Sequence, residues 1–81
     1  MVIKEKEKMD VVIEILNSVQ TEKCLVDIAR AINSNFTIVG PYLKFLLEKE
    51  LIKMNINEKY EITVLGKIWL RAFTKAQEIL K

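Results

Sequence analysis

The sequence predicts a mainly α fold with one small β-hairpin, and three observations carry that prediction. Apolar residues recur at spacings of three and four over most of the 81 residues. Between Ile52 and Ile62 that period gives way to alternation around a polar turn. Two glycines and one proline leave no room for a flexible linker or low-complexity tail, so residues 1–81 read as a single domain.

The charge-alternating stretch KEKEK (Lys4 to Lys8) opens helix 1, roughly 5–18. Met9, Val12, Leu16 and Val19 share one face there, with Ile13 beside them, and Asn17-Ser18 weakens the end. A short extended piece follows around Glu22 to Cys24. Leu25, Ile28, Ala29 and Ile32 mark helix 2, roughly 25–33. Asn33-Ser34-Asn35 is a turn cluster, and Asn35 or Thr37 caps helix 3, which ends near Glu48–Glu50 with Val39, Leu43, Leu46 and Leu47 packed inward.

Gly40-Pro41 falls inside this third element and sets two rules against each other. Proline is cheapest at the first helical position, which favours a start at Gly40. The spacing to helix 2 favours a start near Asn35, with Pro41 interrupting the ladder. The early start is the prediction, with a loose, 3₁₀-like first turn that tightens after Pro41. Beyond it, Ile52, Met54 and Ile56 alternate with Lys53 and Asn55, and Tyr60 and Ile62 flank Glu61. The turn Asn57-Glu58-Lys59 lacks Asn-Gly or Asp-Gly, so the register of the hairpin is not legible. Thr63 caps a last helix, 64–80. Gly66 in its first turn costs about 1 kcal/mol relative to alanine, which implies close approach of a neighbouring backbone.

Helix, short strand, helix, helix, hairpin, helix is the order of a winged helix-turn-helix with an extended C-terminal helix. The hairpin covers the helices by packing Met54, Tyr60 and Ile62 against helix 3. A chain of this size buries only about 60–65% of its unfolded surface and is marginal alone. A single cysteine excludes an internal disulfide, and the lack of histidine argues against structural zinc. A partner subunit is the remaining source of stability.

The stretch DIARAINSNFTIVGPYLKFLLEKELI, the hairpin closing as YEIT and the following VLGKIWL resemble the winged-helix domains of archaea. Those domains end the recognition helix in repeated leucines and Gly-Leu-Ile, and enter the last helix through Tyr-x-Leu/Ile-Thr-x-x-Gly. Tyr60, Ile62, Thr63 and Gly66 match the second motif; Tyr42, Leu43, Leu46, Leu51 and Ile52 match the first. The resemblance spans roughly residues 8–81 and is to small DNA-binding proteins of thermophilic archaea and their viruses, several of which dimerise through the C-terminal helix. It implies sequence-specific or architectural binding of double-stranded DNA, often in transcriptional control. Two departures are Glu50, where the family carries glycine, and Gly40-Pro41, where it carries polar side chains.

On this reading helix 3 enters the major groove and the 52–62 wing lies along the backbone or minor groove. Asn35, Thr37, Ile38, Gly40, Tyr42 and Lys44 lie in or beside its first turns. Asn35 and Thr37 have two readings, as contacts to phosphate or base edges and as caps. Ile38 suits a thymine methyl group, Gly40 permits close backbone approach, and Lys44 suits phosphate. Tyr42 is half-buried, with its hydroxyl directed to phosphate. Lys23 and Arg30 clamp the backbone, against a reading in which Arg30 pairs with Asp27 at the surface. Lys53, Asn55, Asn57 and Lys59 make a polar, modestly basic wing, without the arginine that deep minor-groove insertion uses.

In the last helix Leu65, Trp69, Ala72, Ala76 and Ile79 recur at spacings of 4, 3, 4 and 3, and Ile68, Phe73 and Leu80 widen the stripe. One small domain covers one side of such a helix, so the excess predicts a homodimer seam. The competing reading packs the whole stripe on helix 1.

No histidine, phosphate loop or metal cluster is present, Cys24 has no basic partner, and Asp10 and Glu14 are solvated, which argues against an enzyme, a cofactor or a metal. The N-terminal MVIKEKEKMD is unsuited to a signal peptide and no apolar run approaches a membrane span. The expected location is cytoplasmic, the host cytoplasm for a viral protein. Residues 1–40 are net −1 and residues 41–81 net +3. The alternative function is a protein-interaction module without DNA binding, which the acidic Glu48, Glu50, Glu58 and Glu61 near the reading surface support.

Overall fold

The computed structural model describes residues 5–80, with the side chains of residues 5–7, 77 and 80 excepted. Four helices and one hairpin follow in the order α1 (Glu5–Ser18), α2 (Leu25–Ala31), α3 (Phe36–Glu48), β1 (Ile52–Met54), β2 (Tyr60–Ile62) and α4 (Val64–Leu80). The predicted fold class holds. The core gathers Val12, Ile15, Leu16 and Val19 of α1, Ile28 and Ala29 of α2, and Val39, Leu43 and Leu46 of α3, closed by Leu51, Ile52, Ile62 and Leu70. On α1 the packed face is turned from the expected one: Ile15 is fully buried and Met9 only partly. Positions 12, 15, 16 and 19 give the same three-and-four spacing about a slightly rotated stripe.

Both helices of the central turn end in the same way. At the end of α2 the Asn33 N–H donates to Arg30 O (3.1 Å) and the Ser34 N–H to Ala29 O (2.8 Å), with Asn33 left-handed at φ 54°. This Schellman cap stops α2 at Ala31, short of the expected residue 33. At the end of α3 the Glu50 N–H donates to Leu47 O and the Leu51 N–H to Leu46 O, both at 3.0 Å, with Glu50 at φ 60°. Leu46 and Leu51, the residues that meet across such a cap, are both buried. Glu50 thus keeps the helix exit that glycine would supply, at a cost of about 1 kcal/mol in a left-handed conformation.

Helix α3 takes the early start. Asn35 is its N-cap, and its Oδ1 accepts from the Ile38 N–H (3.1 Å). The first turn has mixed character: Asn35 O accepts from the Ile38 N–H at 3.2 Å, a 3₁₀-type bond, and from the Val39 N–H at 2.9 Å, the shorter α-type bond. Pro41 sits at the sixth helical position without ending the helix. Its missing N–H would have met the carbonyl of Thr37, an exposed residue where water can replace it. Val39, Leu43 and Leu46 hold the helix to the core on both sides of the proline.

The hairpin pairs Ile52 with Ile62, Lys53 with Glu61 and Met54 with Tyr60. A third segment joins through reciprocal backbone bonds between Lys23 and Tyr60 (2.9 and 2.8 Å), as the extended piece near Glu22 to Cys24 predicts. Two expectations for the hairpin fail. Met54 is 48% exposed rather than packed on α3, and Ile56 lies in the turn at 98% exposure rather than in a strand. The cause is the turn chemistry. Asn55 Oδ1 accepts from the Asn57 and Lys59 N–H groups (2.9 and 3.1 Å), and Glu58 is left-handed at φ 58°, so the turn begins two residues early.

A compact joint links α3 to α4. The Thr63 hydroxyl donates to Glu50 O (2.7 Å) and accepts from the Gly66 N–H (3.0 Å), while the Thr63 N–H donates to Leu51 O (3.1 Å). A Cβ on Gly66 would lie 2.0 Å from Leu51 O, which supplies the close backbone approach predicted for that glycine. The Tyr60-to-Gly66 motif is therefore structural.

Candidate nucleic-acid interface

Helix α3 packs by Val39, Leu43 and Leu46, so its opposite side carries Thr37, Pro41, Lys44 and Glu48 into solvent. Ile38 and Phe45 widen this surface and are about half exposed, and Phe36 is exposed at the start of the helix on the side of Leu43. Of the residues proposed for the site, Thr37, Ile38 and Lys44 lie on it. Asn35 beside them is exposed, but its side-chain oxygen serves as the cap. Gly40 is half-buried with open space where a Cβ would stand. Tyr42 is half-buried, as expected, and lines an apolar groove rather than the outer side.

The flanking candidates divide in the same way. Arg30 is exposed, and the pairing with Asp27 that the competing reading gives it does not form: Asp27 Oδ2 accepts from the Cys24 thiol at 3.3 Å, and no ion pair of Arg30 occurs among the described residues. Lys23 is tied locally, with its Nζ donating to Thr21 Oγ1 (2.8 Å). Lys53 pairs across the hairpin with Glu61 at 3.3 Å. Asn55 spends its oxygen on the turn and its amide on Glu22, so it builds the wing and has little left for a partner. Asn57 and Lys59 are exposed at the tip beside Ile56.

Of the cations proposed for this surface, Arg30, Lys44 and Lys59 are thus exposed without an ion pair among the described residues, one each on α2, α3 and the wing. The surface as a whole is balanced. Lys23, Arg30, Lys44, Lys53 and Lys59 are matched in number by Glu22, Asp27, Glu48, Glu58 and Glu61. The sequence reading missed Pro41, Phe45 and Ile56 as parts of this surface. Pro41 and Phe45 were legible from the helical period opposite Val39, Leu43 and Leu46; Ile56 was not.

Helix α4 packs inward by Gly66, Leu70 and half-buried Phe73. Leu65, Ile68, Trp69, Ala72, Ala76 and Ile79 lie on its other side and are exposed, Ile68 at 60% and Ile79 at 76%. The stripe is not core, which overturns the reading that packs all of it on α1. Phe73 departs from the expected stripe: it turns edge-on to Trp69, with ring centroids 4.1 Å apart, and joins Met9 and Val12 of α1. The Leu80 side chain lies outside the described residues. Trp69 also borders a groove of about 460 Å³ between α1, α3 and α4, lined by Met9, Pro41, Tyr42, Phe45 and Phe73, with Lys8 at its rim.

Among the described residues no helix is long and apolar enough to cross a membrane, and no group of three metal-ligating side chains forms. A family described as winged helix-turn-helix matches residues 5–81. No curated protein matches the chain.

Proposed function

Because the chain belongs to the winged helix-turn-helix family, we propose that it is a double-stranded DNA-binding protein that regulates transcription as a homodimer. Domains of this family are non-catalytic regulatory or DNA-binding modules. The observation that carries the proposal is the outer side of α3, uncovered along its length and flanked by Arg30 and Lys59, which make no ion pair among the described residues. In this reading α3 enters the major groove, Thr37 and Ile38 meet base edges, Lys44 meets phosphate, and the wing follows the backbone. Pro41 and Phe45 carry no hydrogen-bonding group, so shape and backbone contact outweigh bidentate base readout. The exposed α4 stripe supplies the seam, and a two-fold axis there sets the two reading helices about 34 Å apart, or a multiple of it.

The likeness to proteins of thermophilic archaea and their viruses is kept as the reading of origin. It carries with it a cytoplasmic site of action, in the host for a viral chain.

The test is an anisotropy titration of the protein against labelled duplex fragments at several salt concentrations. Binding that weakens steeply with salt supports the proposal; no binding at low salt rejects it. A second reading, a protein-interaction module, draws on the balanced charge and on exposed Phe36, Ile38 and Phe45. It predicts that low salt yields no duplex binding at all.

A further inference from the structure

The positive charge that the α3 surface lacks is gathered on α4. Lys67, Arg71 and Lys75 stand four residues apart, so they form one slowly turning stripe with about 6 Å between successive positions. All three are exposed, and none makes an ion pair among the described residues. They form one wall of a groove of about 490 Å³ whose other wall is Asn17 and Gln20 near the end of α1. Gln20 Nε2 donates to Asn17 Oδ1 at 2.9 Å, which fixes the two amides together. Glu78 is the one carboxylate that lines the groove. The α3 surface, by contrast, matches its cations in number with carboxylates, and Lys53 is bonded to one.

We infer that this α4 groove is a second backbone contact for duplex DNA, outside the α3 and wing surface; the inference rests on the DNA-binding reading above. Three cations in a line about 12 Å long, beside two amides, match a run of phosphate oxygens. The groove offers a protein partner no aromatic or exposed apolar anchor, for the one apolar side chain lining it is Leu70, which is buried. The contact carries no sequence information. It raises affinity on any duplex and makes it more salt-dependent.

The test compares the slope of log affinity against log salt for the wild type, the triple variant K67Q/R71Q/K75Q, Arg71→Gln and Lys8→Gln. All four positions are exposed, and circular dichroism melts verify that each variant is folded. Each lost phosphate contact removes about 0.9 from the slope. The expected loss is therefore about 2 to 3 for the triple variant and about 1 for Arg71→Gln, with Lys8→Gln unchanged. A triple variant with the wild-type slope overturns the inference and leaves the stripe for another partner, such as an acidic protein segment. An equal loss in Lys8→Gln also overturns it, because net charge alone would then be the cause. A wild type that binds no duplex at low salt rejects the DNA-binding reading itself, and this inference with it, an outcome distinct from a bound triple variant with an unchanged slope.

Discussion

Gly40 and Gly66 sit in helices at opposite extremes of crowding. A Cβ at Gly66 meets Leu51 O at 2.0 Å, whereas one at Gly40 meets nothing within 4 Å. Gly66→Ala should therefore cost about 3 kcal/mol or more, read as a lower urea midpoint. At Gly40→Ala the gain in helix propensity is opposed by the ring of Pro41, whose Cδ crowds a Cβ on the helical residue before it, so stability should change by less than about 1 kcal/mol. The substitution should weaken DNA binding more than it changes stability if that position is kept open for a backbone. Glu50 is a third backbone-limited position, left-handed at φ 60°. Glu50→Gly should raise stability by about 0.5–1 kcal/mol, measured in the same denaturant series. These residue-level features were legible to different degrees. Gly66 announced itself as a glycine where a helix has no use for one, and Glu50 as the odd residue in a resembling motif. The left-handed Glu58 gave no such sign, because its turn is built by the side chain of Asn55 rather than by a glycine.

At the scale of elements, the helices were the legible part. Long stretches of three-and-four periodicity fixed α1, α3 and α4 to within a residue or two, since burial of one side over several turns leaves a repeated mark. The hairpin left a weaker one. Each strand is three residues long, so alternation through Met54 and Ile56 continued on paper past the point where pairing stops. The outer side of α3 was partly legible, for its apolar members lie opposite Val39, Leu43 and Leu46, but which candidates were already engaged was not. Asn35, Lys23 and Asn55 spend their polar atoms inside the chain, and such local bonds depend on geometry that composition does not record. Lys44 has no such engagement among the described residues. Lys44→Ala should lower DNA affinity by a similar factor across sequences and reduce the salt slope by about 0.9; an unchanged slope would remove Lys44 from the interface.

For the molecule as a whole, the excess of apolar surface on α4 was visible in the sequence because so small a body covers only one side of a 17-residue helix. What hid was the division of labour around that helix: Leu70 inward, Trp69 and the alanines outward, Lys67 to Lys75 on a third side. Trp69→Glu should yield a monomer in light scattering at concentrations where the wild type is a dimer, and the wild type's thermal midpoint should rise with concentration. A wild type that is monomeric at high concentration would rule out the seam. The joint at Thr63 adds a mechanical corollary. Its hydroxyl ties the exit of α3 to the entry of α4, and Gly66 lets the two backbones touch. A protomer joined this way transmits any tilt of α4 to α3 with little slack. The dimer would then behave as a stiff calliper, intolerant of a base pair inserted between half-sites, and Thr63→Ala would loosen its hinge.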